Sequence, residues 1–342
     1  MDNGDLRAQF QQLRELERAP ITAPGLGVFR QLFVPVFLLL LLAPWVGITG
    51  TLQLGGKATQ TTMLTVVALA MLGTWLAEQL YPRVPGWNAR PLSAGPGGRA
   101  QLARDLFYLL AVTRATAFLV EAADPVLGAA SASAGLPSLW PSQAPFAVRA
   151  ALAFVVIEFF AYWLHRAAHH SRVLWQFHST HHVITELGAL KAVRTHPVDN
   201  LLFHLARTTP LLLLGAGPEE LTAAIYFGAL LGILAHANLQ LSEGALGWLV
   251  NFPRWHAVHH SSDLEESRSN FGCHTVLWDR VFRTFRKDPG QGLEIGVQPV
   301  GPRSLWRELA WPFYRWVTPR TRPPPARASH VPAPPPPAAA AG

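Results

Sequence analysis

The sequence predicts an all-α fold, a polytopic bundle of membrane helices carrying a cytoplasmic, helical, histidine-rich cap. Three observations predict it. Half of the 342 residues are hydrophobic, only 14% are charged and the mean hydropathy is positive, whereas a soluble domain carries about 25% charged residues. Long uncharged runs recur along the first two thirds of the chain. Thirteen of the fourteen histidines fall between His165 and His274, in boxes spaced as helices space their faces. This composition argues against a soluble enzyme. The single cysteine, Cys273, excludes an intrachain disulfide and a thiolate metal cluster. The net charge of +7 fits basic membrane-flanking loops better than a nucleic-acid surface.

Each element follows from its residues. Leu6, Phe10 and Leu13 recur at helical spacing among charges, so residues 1–30 form an N-terminal amphipathic segment. A bilayer core needs roughly 20 apolar residues as helix. Residues 31–56 and 58–77, both uncharged, meet that length; the first is too long for a signal-peptide core and reads as an uncleaved anchor. Asp105–Glu121 is apolar apart from Arg114, and 150–164 apart from Glu158, which makes about four spans. Residues 201–216 and 221–235 are shorter, split by Gly215-Ala216-Gly217-Pro218-Glu219-Glu220, and read as a half-deep hairpin. The domains expected are thus the N-terminal segment, membrane scaffold helices over 31–149, a catalytic domain over 150–288, a C-terminal cytoplasmic segment over 289–321 and a disordered Pro/Ala tail over 322–342.

Orientation comes from Lys and Arg placement. Arg7, Arg14, Arg18 and Arg30 precede the first run, and Arg83, Arg90, Arg99 and Arg104 follow the second, while Ala122–Val148 carries none. The positive-inside rule puts the N-terminus and the chain just after Leu164 in the cytoplasm. The richness in Ala, Arg, Gly and Pro points to a GC-rich bacterial source, hence an inner membrane.

The boxes are His165-Arg-Ala-Ala-His169-His170, His178-Ser-Thr-His181-His182 and His256-Ala-Val-His259-His260. Residues three and four apart share a helix face, so His165 pairs with His169, His178 with His181 and His182, and His256 with His259 and His260. Eight imidazoles aimed at one place are too many for one ion, so two metals is the economical reading, with His196 and His236 as further candidates. Neutral imidazole suits iron, zinc, copper or nickel. A lone His-x-x-x-His is ordinarily incidental surface, but two His-x-x-His-His boxes beside it are not. His204, on an apolar run, reads as a satisfied core histidine, and His330 as solvated. Glu158, Tyr162, His165 and His169 follow i, i+4, i+7, i+11 and lie along one face. A carboxylate inside a membrane helix is a functional suspect, and Glu158 is expected to accept the second N–H of a ligating histidine; the bland alternative is a glutamate near the headgroups. Two redox metals on neutral ligands can activate O2 for attack on an unactivated C–H bond, which offers acid–base or nucleophilic catalysis no starting point. A substrate arriving from lipid calls for an apolar path between the helices.

At these residues the sequence resembles the fatty acid hydroxylase superfamily, also called the sterol desaturase family. The resemblance covers roughly Phe154 to Phe285: the three boxes in order, Arg194-Thr195-His196-Pro197, His236-Ala-Asn238, and Asn270-Phe271-Gly272 followed by Trp278-Asp279-Arg280. It implies an integral-membrane oxidoreductase with a di-iron centre that uses O2 on lipids, hydroxylating or desaturating a sterol-like or fatty-acyl substrate. Carried over residue by residue, the implied ligands are His165, His169, His178, His181, His182, His256, His259 and His260, with His236 as a further one and His196 weaker. Cys273-His274 and Arg283 depart from the smaller residues many relatives show there. No His-Pro-Gly-Gly signals a fused cytochrome, so electrons are expected from a separate ferredoxin-like or cytochrome partner with an NAD(P)H reductase. Two rivals are a histidine-rich metal transporter or sensor, which would carry low-complexity His tracts, and a membrane zinc hydrolase, which would need three ligands and a general base.

Overall fold

A computed structural model describes residues 26–34, 37, 56–88, 95–133, 135, 137–288, 293–297 and 305–314. Residues 1–25 of the expected amphipathic segment, most of the 31–56 run, His330 and the Pro/Ala tail lie outside them. The helices are α1 (Gly56–Leu80), α2 (Gly95–Phe107), α3 (Thr113–Ser133), α4 (Phe146–His170), α5 (Arg172–His182), α6 (Pro197–Leu214), α7 (Pro218–His236), α8 (Pro253–His259), α9 (Leu277–Val281) and α10 (Leu305–Tyr314). Among the described residues the only β pairings are three isolated bridges, such as Val250 with Thr275.

Among the described residues four helices are long and apolar enough to cross a membrane: Thr62–Leu80, Arg99–Ser133, Phe146–His170 and Pro218–His236. The first three cover expected spans, Pro218–His236 falls in the expected hairpin, and most of the expected 31–56 span lies outside the described residues. The second is one 35-residue run in which α2 passes into α3 through a π-helical turn at Tyr108–Val112, longer than the stretch read from sequence. The half-deep hairpin is corrected. At a rise of about 1.5 Å per residue, the 19 residues of α7 span a hydrocarbon core, and α6 and α7 each lie along α4 rather than along one another. Glu219 and Glu220 fall in the first turn of α7, where the helix dipole favours them, and Glu220 pairs with Arg149. Gly215, at φ 87°, ends α6 in a left-handed turn against Ser138.

The central helix is α4. Its buried face repeats Ala150, Ala153, Ile157, Ala161 and Ala168, and small residues let α6 and α7 approach closely. Glu158, Tyr162, His165 and His169 are all buried on it, as their spacing predicts.

Buried charges tie the remaining parts to this core. Glu78, at the end of α1, accepts the backbone N–H of Ala189 and of Asn238, both at 2.8 Å. Asp105 of α2 accepts from Lys191 at 3.0 Å, and Arg194 grips Glu308 of α10 at 2.6 Å. Removing one partner of such a pair strands a buried charge. Glu308→Ala is therefore expected to cost about 3–5 kcal/mol, read as a fall in the thermal unfolding midpoint in detergent; an unchanged midpoint would mean that α10 does not hold Arg194.

The loop after α8 is set by Asn270 and Asp279. Asn270 adopts φ 52°, donates to Trp255 and Arg286 carbonyls and accepts the Arg286 N–H. Asp279 accepts the N–H groups of Phe271 and Gly272, both at 2.7 Å, and the Thr284 hydroxyl. Burial pushes its carboxyl up to about 6. A Cβ on Gly272 would stand 1.8 Å from the Thr275 carbonyl oxygen. Gly272→Ala should lower the unfolding midpoint through overpacking, by about 3 kcal/mol, and a wild-type midpoint would show that this loop can move aside.

Candidate metal centre

The nine candidate histidines come together in two buried groups. His165, His169, His178, His182 and His259 form one; His181, His236, His256 and His260 form the other. Within each group the ligand-capable atoms lie within 4.8 Å of one another. The helices α5 and α8 feed both groups, because on α5 His181 turns away from His178 and His182, and on α8 His259 turns away from His256 and His260. Rings of His182 and His260 stack across the boundary with centroids 4.4 Å apart.

What orients these rings is mostly backbone. His165 Nδ1–H donates to the Phe271 carbonyl at 2.6 Å, His259 Nδ1–H to Ser269 at 2.9 Å, His181 Nδ1–H to Arg194 at 3.2 Å and His236 Nδ1–H to Gly232 at 2.8 Å. His178 Nδ1–H donates to the Asp199 carboxylate at 3.0 Å. A carbonyl or carboxylate only accepts, so each of these rings carries its proton on Nδ1, and a neutral ring then has a bare lone pair on Nε2. The residues therefore fit a metal. Nε2 of His181 and of His236 face each other at 3.1 Å, lone pair to lone pair, and His256, whose Nδ1 faces the Asn251 amide NH2, brings its Nε2 to 2.9 Å from that of His236. Nε2 of His165, His169 and His259 are buried without any hydrogen-bond partner. A cation between them resolves both situations. A proton does not, because burial and the neighbouring rings hold His181, His182, His256 and His260 well below the usual imidazole range, and burial brings His259 down to about 3. The rings stay neutral, the form that ligates.

Other sequence candidates fall elsewhere. His196 caps α6, accepting the Val198 N–H on Nδ1 and donating from Nε2 to the Leu309 carbonyl, so both its nitrogens are used. His170 is exposed and bonds the Arg166 carbonyl. His204 pairs with Asp124 at 2.7 Å, a satisfied histidine. Glu158 does accept a ring N–H, but from His274 at 2.5 Å and not from one of the nine. That corrects its expected role: seven residues before His165 it lies about 10 Å further along α4, out of reach of the clustered rings. The carboxylate that serves the cluster is Asp199, which pattern reading missed; its signal is the His196-Pro197-Val198-Asp199 start of α6. A cleft that reaches the five-histidine group has a mixed wall, with His169, His182, Ser261 and Ser267 beside Trp175, Leu264 and Val297.

The fatty acid hydroxylase family model matches residues 150–284. An ornithine lipid hydroxylase, OlsE of Rhizobium tropici, is 31% identical over 250 residues, which is 70% of this chain and 72% of that protein. An alkylglycerol monooxygenase of Danio rerio is 29% identical over 48% of this chain, and a Delta(7)-sterol-C5(6)-desaturase of Nicotiana tabacum is 28% identical over 42%. The chain spans 37% of the length of that monooxygenase and 51% of that desaturase. No solved structure matches. The extent of the OlsE match, the family segment lying across all three boxes, and the four apolar helices make this chain an integral membrane oxidoreductase of the fatty acid hydroxylase family.

Proposed function

We propose that this protein is a di-iron, O2-dependent lipid hydroxylase whose two irons are held by the nine clustered histidines. The observation that carries the reading is the 3.1 Å approach of two bare Nε2 lone pairs, His181 to His236, inside a buried all-nitrogen cage. Two iron ions there supply O2 activation for oxidising an unactivated C–H bond. The chain's own residues hold and orient. Backbone carbonyls of Phe271, Ser269, Arg194 and Gly232, and the Asp199 carboxylate, fix tautomer and ring angle, as the outer partners of metal-bound histidines do. Phe203 and Phe271 pack on His165, and Trp175 packs on His169 and His182, fixing the ring positions. The all-histidine set favours redox chemistry over zinc hydrolysis, which uses three ligands and an open position. The substrate is a membrane lipid, reached from the bilayer through the spanning helices. Electrons come from a separate carrier, and the site faces the cytoplasm of a bacterial inner membrane.

Protein purified from iron-supplemented cells is expected to contain two irons per chain. His181→Ala should lose the ion of the four-histidine group and His178→Ala the ion of the five-histidine group, each falling to about one. Zinc alone, with no lipid gaining an oxygen atom after iron reconstitution, would overturn the reading. Asp199→Asn keeps the shape but loses the anionic acceptor, and iron affinity should fall about 10–100-fold; unchanged affinity would remove Asp199 from the site.

A further inference from the structure

We propose that His274, oriented by Glu158, is the group that recognises the lipid, accepting a hydroxyl or amide N–H of the substrate on its Nε2. The proposal rests on the lipid-oxidising reading above and deepens it, because it names a class: lipids that bear a hydrogen-bond donor near the carbon attacked.

Glu158 lies halfway along α4, where an unsatisfied carboxylate would be costly. It is satisfied entirely by one short segment. Oε1 takes His274 Nδ1–H at 2.5 Å; Oε2 takes the N–H of Thr275 at 2.9 Å, its hydroxyl at 3.1 Å and the N–H of His274 at 3.3 Å. The effect is to hold one imidazole in one orientation with its Nδ1 committed. Nε2 is then the free end of the ring, with no hydrogen-bond partner among the described residues and a lone pair to offer when the ring is neutral. The side chain keeps 11% of its surface open.

The opposite wall is cut to fit this ring. A Cβ on Gly228 would stand 2.9 Å from His274 Cε1, and one on Gly232 would stand 3.5 Å from Cδ2. These two glycines, four residues apart on α7, leave a slot that only a bare backbone provides. Phe154 flanks the ring at 6.3 Å and packs in turn on Phe227, so that side is apolar, while the Arg207 guanidinium lies near Glu158 and Cys273. One polar atom fixed in an apolar wall is how binding sites set ligand orientation.

The depth is also informative. Gly232 touches His274 and gives its carbonyl to His236 Nδ1–H. His274 thus lies about one helical turn, roughly 6 Å, from the four-histidine group, on the side where α7 runs into the membrane. A lipid entering between α4 and α7 meets His274 before the histidine groups. Simply anchoring the loop would not require an imidazole, since Thr275 and the backbone N–H of His274 already bind Glu158.

The test measures binding of hexadecylglycerol and of its di-O-methyl ether, the same chain without donors, to the full-length protein in detergent, metal-free and iron-loaded. Wild type is expected to bind the free diol about fivefold to tenfold more tightly, the effect of one hydrogen bond. His274→Phe, which refills the slot, should bind both equally with iron content unchanged; His274→Gln, whose amide oxygen still accepts, should recover part of the preference. Gly228→Ala displaces the ring without removing a polar group and should also weaken the preference, which provides a second arm if His274→Phe does not fold. Equal binding of the two probes by wild type, no binding of the diol, or an unchanged preference in His274→Phe or Gly228→Ala would overturn the proposal. Absence of iron from wild type would instead strike the di-iron reading, because the binding preference is read on the metal-free protein as well.

Discussion

His181 and His236 each give a ring N–H to a backbone carbonyl, so their remaining nitrogens meet as two lone pairs 3.1 Å apart in a space with no room for solvent. Much of the described structure is organised around holding such rings in place. A neutral imidazole offers one donor and one acceptor; five of the nine rings spend the donor on a carbonyl or on Asp199, and a cation satisfies the acceptors they turn inward. Burial disfavours protonation of the same rings, which leaves metal as the partner that the fold is shaped to receive.

Holding nine imidazoles against that mutual repulsion requires stiff surroundings, and the stiffness comes from places far apart in sequence. The Ser269–Asp279 loop supplies two of the accepting carbonyls, Ser269 and Phe271, and is pinned by Asp279 on one side and by the left-handed Asn270 on the other. The Arg194 carbonyl, which orients His181, belongs to a residue whose guanidinium is gripped by Glu308 on α10. Glu78 on α1 ties the Ala189 turn to the strand-like exit of α7 at Asn238. Glu78, Asp105 and Glu308 all lie outside the segment that matches the family model, so chain flanking the boxes braces them from behind.

The polar groups at membrane depth follow one rule. Glu158 is spent on His274 and Thr275, and Glu220 on Arg149. In a medium that cannot replace a lost hydrogen bond, polar side chains persist where partners are built in. His274 differs from these ion pairs in that Glu158 fixes its ring through Nδ1 alone, which leaves Nε2 for the lipid contact proposed above.

The sequence by itself determined the helical membrane class, the spacing that puts three boxes on helix faces, and all nine histidines of the two groups, because hydrophobic runs and helical periodicity are local properties of the chain. It also placed Glu158, Tyr162, His165 and His169 on one buried face. Only the tertiary structure decided how the nine divide into five and four, since that depends on which way α5 and α8 cross α4 and α7. It likewise assigned Asp199 to His178 and His274 to Glu158, pairings across 21 and 116 residues that no local pattern encodes. The supposed hairpin became two helices that each pack on α4, of which α7 is long and apolar enough to cross a membrane: a Gly-Pro-Glu-Glu break marks an end, but what each helix packs against determines where that end lies.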